Sequence, residues 1–404
     1  MAIAPRTETT NHWATQSWNC SPEGLETFGP INLVVLQPTS YCNLNCDYCY
    51  LPDRHLKNQM SLDLIEPIFR QIFTSPFFRK DITVCWHAGE PLAVGVDFYE
   101  QAIAQIHQAE VEYKEQPYAV HHSVQTNGIL INQAWCDLFQ RHNFHVGVSI
   151  DGPAFIHDLH RQTPTGKGSH QGTMAGIAQL QKNQIPFNVI AVISQDSLDY
   201  ADEIFNFFVE HGIRDVGFNM EETEGVHSQS SLDHADIEER YRAFMERFWQ
   251  LTLASPGVIQ VREFEILCRL IYHGDRLTQT DMNHPFVIVS IDHQGNFSTF
   301  DPELLAVSSD RYGDFTLGNV QRDSLASVCQ TEKFQAIYGD MLAGVNQCAR
   351  DCQYFGLCGG GAGSNKYWEK GTFACTETYA CRYRVQVLTD IVLEHLENSL
   401  AHPS

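Results

Sequence analysis

A chain of 404 residues, 43% hydrophobic and 19% charged, is long enough for a large core and more than one domain, and its composition is that of a soluble globular protein. Its 26 basic residues against 49 acidic ones give a formal charge of −23, which argues against a nucleic-acid or anionic-membrane partner, since both need a positive footprint. The acidity reads as a solubilising surface or as a match for a basic partner.

Taken from the N-terminus, "MAIAPRTETTNHW" lacks the apolar segment of a signal peptide. No apolar run approaches ~18 residues, so a cytoplasmic protein with no membrane span is expected. From residue 31 strand-like and helix-like segments alternate. "INLVVLQP" reads as a buried strand, and "SLDLIEPIFRQIF" as a helix behind a Ser61 cap. "DITVCWHAGEP", "YAVHHSVQTNG" and "FHVGVSIDGP" read as strands running into loops, and "FNVIAVIS" and "DVGFNMEE" as two more strands. Helices are expected at "FYEQAIAQIHQA", "QAWCDLFQRH", "TMAGIAQLQKN" and "YADEIFNFFVEHG", the third after a polar loop. Six β/α units in a row imply a parallel sheet with helical crossovers, open or curved into a partial barrel. Residues of about 226–280 look helical, "FVIVSIDHQGNFSTF" reads as a hairpin turning at His293–Asn296, and a closing helix spans about Arg382–Asn398.

Thirteen cysteines in a reducing compartment read as metal ligands and reduced thiols rather than disulfides. Cys20, Cys85, Cys136, Cys268 and Cys329 are scattered and read as small buried residues or stray thiols. Cys42, Cys46 and Cys49 instead form C-x3-C-x2-C, three ligands where a metal site closed by protein alone needs four. Such a set leaves a coordination position open, or is a zinc loop completed from a distance. Cys348, Cys352 and Cys358, with Cys375 and Cys381 beyond, suit iron–sulfur or zinc. The short motifs "HAGEP", "QTNG" and "SIDGP" follow the second, third and fourth strands, the end at which parallel sheets bind ligands.

Cys42, Cys46, Cys49 and the aromatic Tyr48 resemble the signature of radical S-adenosylmethionine (SAM) enzymes. The resemblance implies a partial (β/α)6 barrel over residues 31–225, and a [4Fe-4S] cluster on the three thiolates whose fourth iron takes the amino and carboxylate groups of SAM. SAM cleavage there yields a 5′-deoxyadenosyl radical, the cofactor's own chemistry. "HAGEP" resembles the family's GGEP motif, with Ala88 for the first glycine, so Ala88, Gly89 and Glu90 are expected at the SAM ammonium. Ser149 and Asp151 are expected at the ribose or carboxylate, and Gln125 and Asn127 line the site or form a plain Asn-Gly turn. Arg161 is a bidentate partner for the SAM carboxylate or a surface ion pair.

The cysteine-rich end resembles a SPASM domain, the auxiliary-cluster module of peptide-modifying relatives, here over 281–404 beyond a helical bridge at 226–280 and an N-terminal extension at 1–30. Full SPASM domains hold two clusters; here Ala362 and the cysteine-free "GNFSTFD" occupy the further ligand positions. One auxiliary [4Fe-4S] cluster is therefore expected, on Cys348, Cys352, Cys358 and Cys381, with Cys375 the rival to Cys381. In sulfatase-maturating relatives a cysteine and a catalytic Asp stand where this chain has Phe300 and Asp301, so Asp301 is a candidate base, or caps the turn before Pro302. "VVLQPTSYCNLNCDYCYLPDR", "WHAGEPL" and "CGGGAGSNKYWEKGTF" together look most like the cyclophane-forming GrrM/OscB type, which implies a ribosomal precursor peptide as substrate and an electron donor such as flavodoxin or ferredoxin. A sulfatase maturase making formylglycine is the alternative, and a non-catalytic metal-binding scaffold the third. The residues before the first strand are too few for a separate leader-binding domain, so the peptide is expected to add a strand to a sheet edge.

Overall fold

The computed structural model describes residues 22–401 apart from 235 and 306. The first 21 residues, including Cys20 and the stretch read for a signal peptide, lie outside the described residues, as do the last three. The strands are β1 (Leu33–Leu36), β2 (Ile82–Trp86), β3 (Val120–Thr126), β4 (His145–Ser149), β5 (Phe187–Ile193), β6 (Asp215–Met220), β7 (Gln260–Val261), β8 (Ile288–Ile291), β9 (Asn296–Thr299), β10 (Ser308–Ser309), β11 (Gly313–Asp314) and β12 (Gly318–Asn319). Ten of them form one sheet in the order β12-β9-β8-β1-β2-β3-β4-β5-β6-β7, and β10 pairs with β11 alone. From β8 through β1 to β7 every pairing is parallel. The sheet ends at β12 and β7 without closing, the partial barrel that the alternating pattern implies.

The crossover helices follow their hydrophobic spacing. Helix Val96–Tyr113 buries Phe98, Tyr99, Ala102, Ile103, Ile106 and Ala109, one face of a 3.6-residue repeat. Helix Ile65–Phe73 follows a 3₁₀ turn capped by Ser61, whose hydroxyl accepts the Asp63 N–H. The polar loop after β4 contains a short helix, Ala154–His160, which the sequence pattern does not reveal because its outward face carries Phe155 and Leu159. The bridge consists of helices Ile237–Ala254 and Arg262–His273, with β7 between them extending the sheet beside β6.

The hairpin forms as its turn residues predict, β8 and β9 pairing antiparallel through Val289 and Thr299. Its placement is tertiary: β8 lies parallel to β1, Leu33 opposite Ile288, so the hairpin continues the barrel sheet. The chain then runs through helix Glu332–Asp351, the short helices Phe355–Cys358 and Gly363–Lys370, and a turn at Tyr379–Cys381. A π-helical turn, Arg382–Val387, leads into the closing helix Leu388–Ala401. No helix among the described residues is long and apolar enough to cross a membrane. Cys136 and Cys329 are buried as expected, and Cys85 and Cys268 are partly so.

Candidate active site and cluster-binding cysteines

The loop after β1 carries Cys42, Cys46 and Cys49, and four neighbouring segments hold it. Cys42 N–H donates to Arg54 O (2.9 Å), and Arg54 donates back to Cys46 O (2.8 Å). Asn45 N–H donates to Gln162 O (2.6 Å), tying the loop to the end of helix Ala154–His160. Glu90 N–H donates to Tyr41 O (2.7 Å), and Val226 N–H to Tyr50 O (3.1 Å). Burial, then the Glu90 charge, pushes the Cys42 thiol up to about 12, and burial pushes Cys46 up to about 11 against the pull of Arg161. Bare thiolates are therefore unfavourable here, and a metal that binds them deprotonated would supply the missing charge.

At the end of β2, Ala88 and Gly89 both have positive φ (70° and 65°). A Cβ on Gly89 would stand 2.5 Å from Thr39 O and 2.7 Å from Tyr41 O, so glycine is what allows the strand end to approach the cysteine loop. The Glu90 carboxylate is buried and already engaged. It accepts the N–H groups of Leu92 (3.0 Å) and Asn127 (2.9 Å) and the Thr126 hydroxyl (2.7 Å). Its side chain joins the second and third strand ends, and burial raises its pKa despite these bonds. Asn127 is both turn and lining: its Oδ1 accepts the Ile129 N–H (3.1 Å), while its amide donates to Asn43 Oδ1 (2.7 Å) and reaches 3.9 Å from Cys42 Sγ. Gln125 donates to Ser149 Oγ (2.9 Å), linking the third and fourth strand ends.

Asp151, Arg161 and Tyr48 form one buried unit. Arg161 donates from Nε to Asp151 Oδ2 (2.8 Å) and from Nη2 to Oδ1 (3.1 Å), and its guanidinium stacks over the Tyr48 ring at 5.3 Å. Tyr48 donates its hydroxyl to Asp151 Oδ2 (2.6 Å), and Val192 N–H donates to Oδ1 (2.9 Å). Arg161 is 7% exposed and Asp151 1%, so the alternative reading of Arg161 as a surface ion pair does not hold: the pair is buried. The Nε–Nη2 side of the arginine is taken by Asp151, and the Nη1–Nη2 end keeps three N–H groups that could meet a ligand carboxylate. Burial opposes ionisation of Asp151, but Arg161 and the hydrogen bonds outweigh it and hold the carboxyl below its ordinary range.

Asp301, 1% exposed, caps a 3₁₀ turn by accepting the Glu303 N–H (3.4 Å) and also accepts the Ser364 hydroxyl, so the capping reading describes part of what it does. Two further carboxyls lie beside it, Glu303 and Glu224, and Asn365 donates to Glu224 Oε1 (3.3 Å). Burial first, then Asp301, pushes Glu303 well up; burial, then Glu222 and Asp301, does the same to Glu224. Both shifts favour neutral, proton-bearing forms. Tyr50, one residue beyond Cys49, feels Glu303, Cys49, Glu224 and Asp301 together, which places this acidic group against the cysteine loop. Sequence reading passed over Glu224, although "EETEG" follows the sixth strand as the other motifs follow theirs. Glu303, Ser364 and Lys366 carry no local signal.

Cys348, Cys352, Cys358 and Cys381 line one cavity of about 570 Å³, together with Lys366 and Arg384; Cys375 is not in its wall. Thr378 caps the turn that presents Cys381, accepting its N–H (3.0 Å), and the π-helical turn begins at the next residue. Burial, then Cys358, pushes the Cys381 thiol up to about 12. No three His, Cys, Asp or Glu side chains among the described residues converge as one metal ion requires. Zinc would draw its sulfurs to about 2.3 Å of one centre, whereas an iron–sulfur cluster spreads its thiolates over different irons. Four thiols around an open cavity fit the cluster.

Residues 36–208 carry the sequence profile of the Radical SAM superfamily. A serine-type anaerobic sulfatase-maturating enzyme of Klebsiella aerogenes is 31% identical over 75% of this chain and 77% of its own length. The chain belongs to the radical SAM superfamily. This radical SAM enzyme is also 62% identical, over 92% of its length and 94% of the relative's, to an uncharacterised protein of Synechocystis sp. PCC 6803. Its fold matches the solved structure of native anSMEcpe with bound AdoMet and the Cp18Cys peptide at a TM-score of 0.74, covering 91% of this chain and 98% of that one at 20% identity.

Proposed function

We propose that this radical SAM enzyme matures a ribosomally made precursor peptide in the cytoplasm, forming a carbon–carbon crosslink (a cyclophane) between an aromatic ring and the β-carbon of a nearby residue. SAM and a [4Fe-4S] cluster on Cys42, Cys46 and Cys49 supply the radical that removes the β-hydrogen; a second [4Fe-4S] cluster is assigned to Cys348, Cys352, Cys358 and Cys381, and reducing electrons to a flavodoxin or ferredoxin. Around the first set, Asn127 steadies Asn43 beside Cys42, and the Asp151–Arg161–Tyr48 unit fixes the loop through Tyr48. Once the carbon radical has added to the ring, the ring must lose one proton and one electron to regain aromaticity. Asp301 takes the proton, with Ser364 holding Oδ2, and the electron leaves toward the C-terminal cysteines.

The observation that carries this choice is the pair of lost ligand positions. Phe300 is fully buried, packed against Phe334 and Tyr338, and Ala362 occupies the N-cap position of helix Gly363–Lys370 without a side-chain cap. Neither side chain can ligate iron, which supports a single auxiliary cluster. Similarity to the Klebsiella enzyme favours a second reading, oxidation of a Ser or Cys to formylglycine. The two share β-hydrogen removal and differ in the fate of the radical. Anaerobic coexpression with a precursor peptide encoded beside the gene, and separately with a sulfatase-derived peptide, decides. A crosslink shows as loss of a hydrogen pair, linked fragments in tandem mass spectrometry and no hydrazide capture. A hydrazide-reactive aldehyde on the sulfatase peptide, with the precursor untouched, would replace the crosslink reading.

A further inference from the structure

We infer that Lys366 is a positioning residue for electron acceptance: its ammonium bonds to the Cys348 sulfur and makes the C-terminal cluster easier to reduce. The inference rests on the reading of Cys348 as a cluster ligand. Lys366 is 4% exposed, and its Nζ lies 3.4 Å from Cys348 Sγ, within N–H···S reach. Among the described residues it ion-pairs with no carboxylate. A buried ammonium is costly unless an anion faces it; the carboxylates in the cavity wall, Glu263, Asp351 and Glu377, are paired with Arg262, Arg350 and Arg382, which leaves the thiolates to face Lys366. The helix opposite leaves room for it. A Cβ on Gly344 would stand 3.1 Å from Nζ and 2.1 Å from Phe373 O, so a larger residue there would crowd the lysine.

Consecutive residues of helix Gly363–Lys370 divide the work. Ser364 donates to Asp301, Asn365 to Glu224 and Lys366 to Cys348. One helical segment therefore touches both the proposed proton acceptor and the proposed electron acceptor. Removing one electron from the substrate adds one negative charge to the cluster, and a fixed positive charge with a hydrogen bond to a ligating sulfur stabilises that more negative state. Charge and hydrogen bonds to sulfur are among the factors that set iron–sulfur potentials.

The test uses the full chain carrying Cys42→Ala, Cys46→Ala and Cys49→Ala, reconstituted without oxygen, so that only the C-terminal cluster is observed. This parent should hold about four irons. In an electron-paramagnetic-resonance redox titration, adding Lys366→Met should lower the reduced-to-oxidised ratio at a given potential about tenfold, a shift of about 59 mV for one electron toward more negative values. Lys366→Arg should return the potential toward the parent's. A Lys366→Met midpoint equal to the parent's at full iron content overturns the inference. Should Lys366→Met not retain iron, Lys366→Gln is titrated instead, and an unshifted midpoint there overturns it equally. A parent that holds no iron overturns the C-terminal cluster itself, and the inference with it.

Discussion

Ser364 donates its hydroxyl to Oδ2 of Asp301, a contact between helix Gly363–Lys370 and the loop that follows β9. It closes the C-terminal part over the strand ends, where Tyr50 and the cysteine loop also lie. The carboxylate is thus held from two sides, by the Glu303 N–H at Oδ1 and by Ser364 at Oδ2.

Asp301→Asn keeps the acceptor oxygen that caps the turn but cannot take a proton at neutral pH. The variant should fold and cleave SAM at close to the wild-type rate while forming at least tenfold less crosslinked peptide. Deoxyadenosine and product are measured in one reaction. Wild-type levels of both would leave Asp301 a turn cap, and a joint fall would show that it positions the substrate.

The choice between Cys381 and Cys375 has a direct readout in iron. Cys381→Ala should reduce the reconstituted chain from about eight irons to about four, whereas Cys375→Ala should leave about eight. The reverse pattern would move the fourth ligand to Cys375, and bound zinc in place of the lost iron would restore the zinc reading.

Ala88 and Gly89 make opposite predictions although they are neighbours. Gly89→Ala puts a methyl against Thr39 O and Tyr41 O, so the cysteine loop must shift and the N-terminal cluster should be lost while the C-terminal one remains. Ala88 already sits at φ 70°, a conformation that costs a non-glycine residue about 1–2 kcal/mol. Ala88→Gly should retain all iron and SAM cleavage, with stability unchanged or raised by up to about 1 kcal/mol. Equal iron loss in both variants would show that the segment does not depend on this backbone geometry.

The Asp151–Arg161 pair predicts a pH signature. The folded carboxyl titrates below its ordinary value, so its stabilisation is complete above about pH 4 and is lost as the pH falls through the folded-state value. Asp151→Asn strands a buried guanidinium and should destabilise by about 3–5 kcal/mol at neutral pH. In anaerobic urea unfolding, the gap between wild type and variant should be constant above about pH 4 and narrow below it. A gap that stays constant into acid would mean that the pair carries no charge-dependent stability.

The sequence by itself determined the order of the first six strands and most of their helices, because hydrophobic period is a local property and these segments bury a single face or a continuous run. It also determined the three clustered cysteines, since a loop brings close spacing together in any fold, and the hairpin at residues 288–299, whose turn chemistry is local. Only the tertiary structure decided that β8 lies beside β1, that Arg161 turns inward to Asp151 ten residues before it, and that Cys381 rather than Cys375 shares a cavity with the other three thiols. The same holds for Asp301, Ser364, Glu224 and Lys366, which lie as much as 142 positions apart and meet where the C-terminal helices pack over the strand ends. No local pattern marks such residues. What each one faces, and therefore its charge and its hydrogen-bond partners, is set by distant segments that packing brings against it.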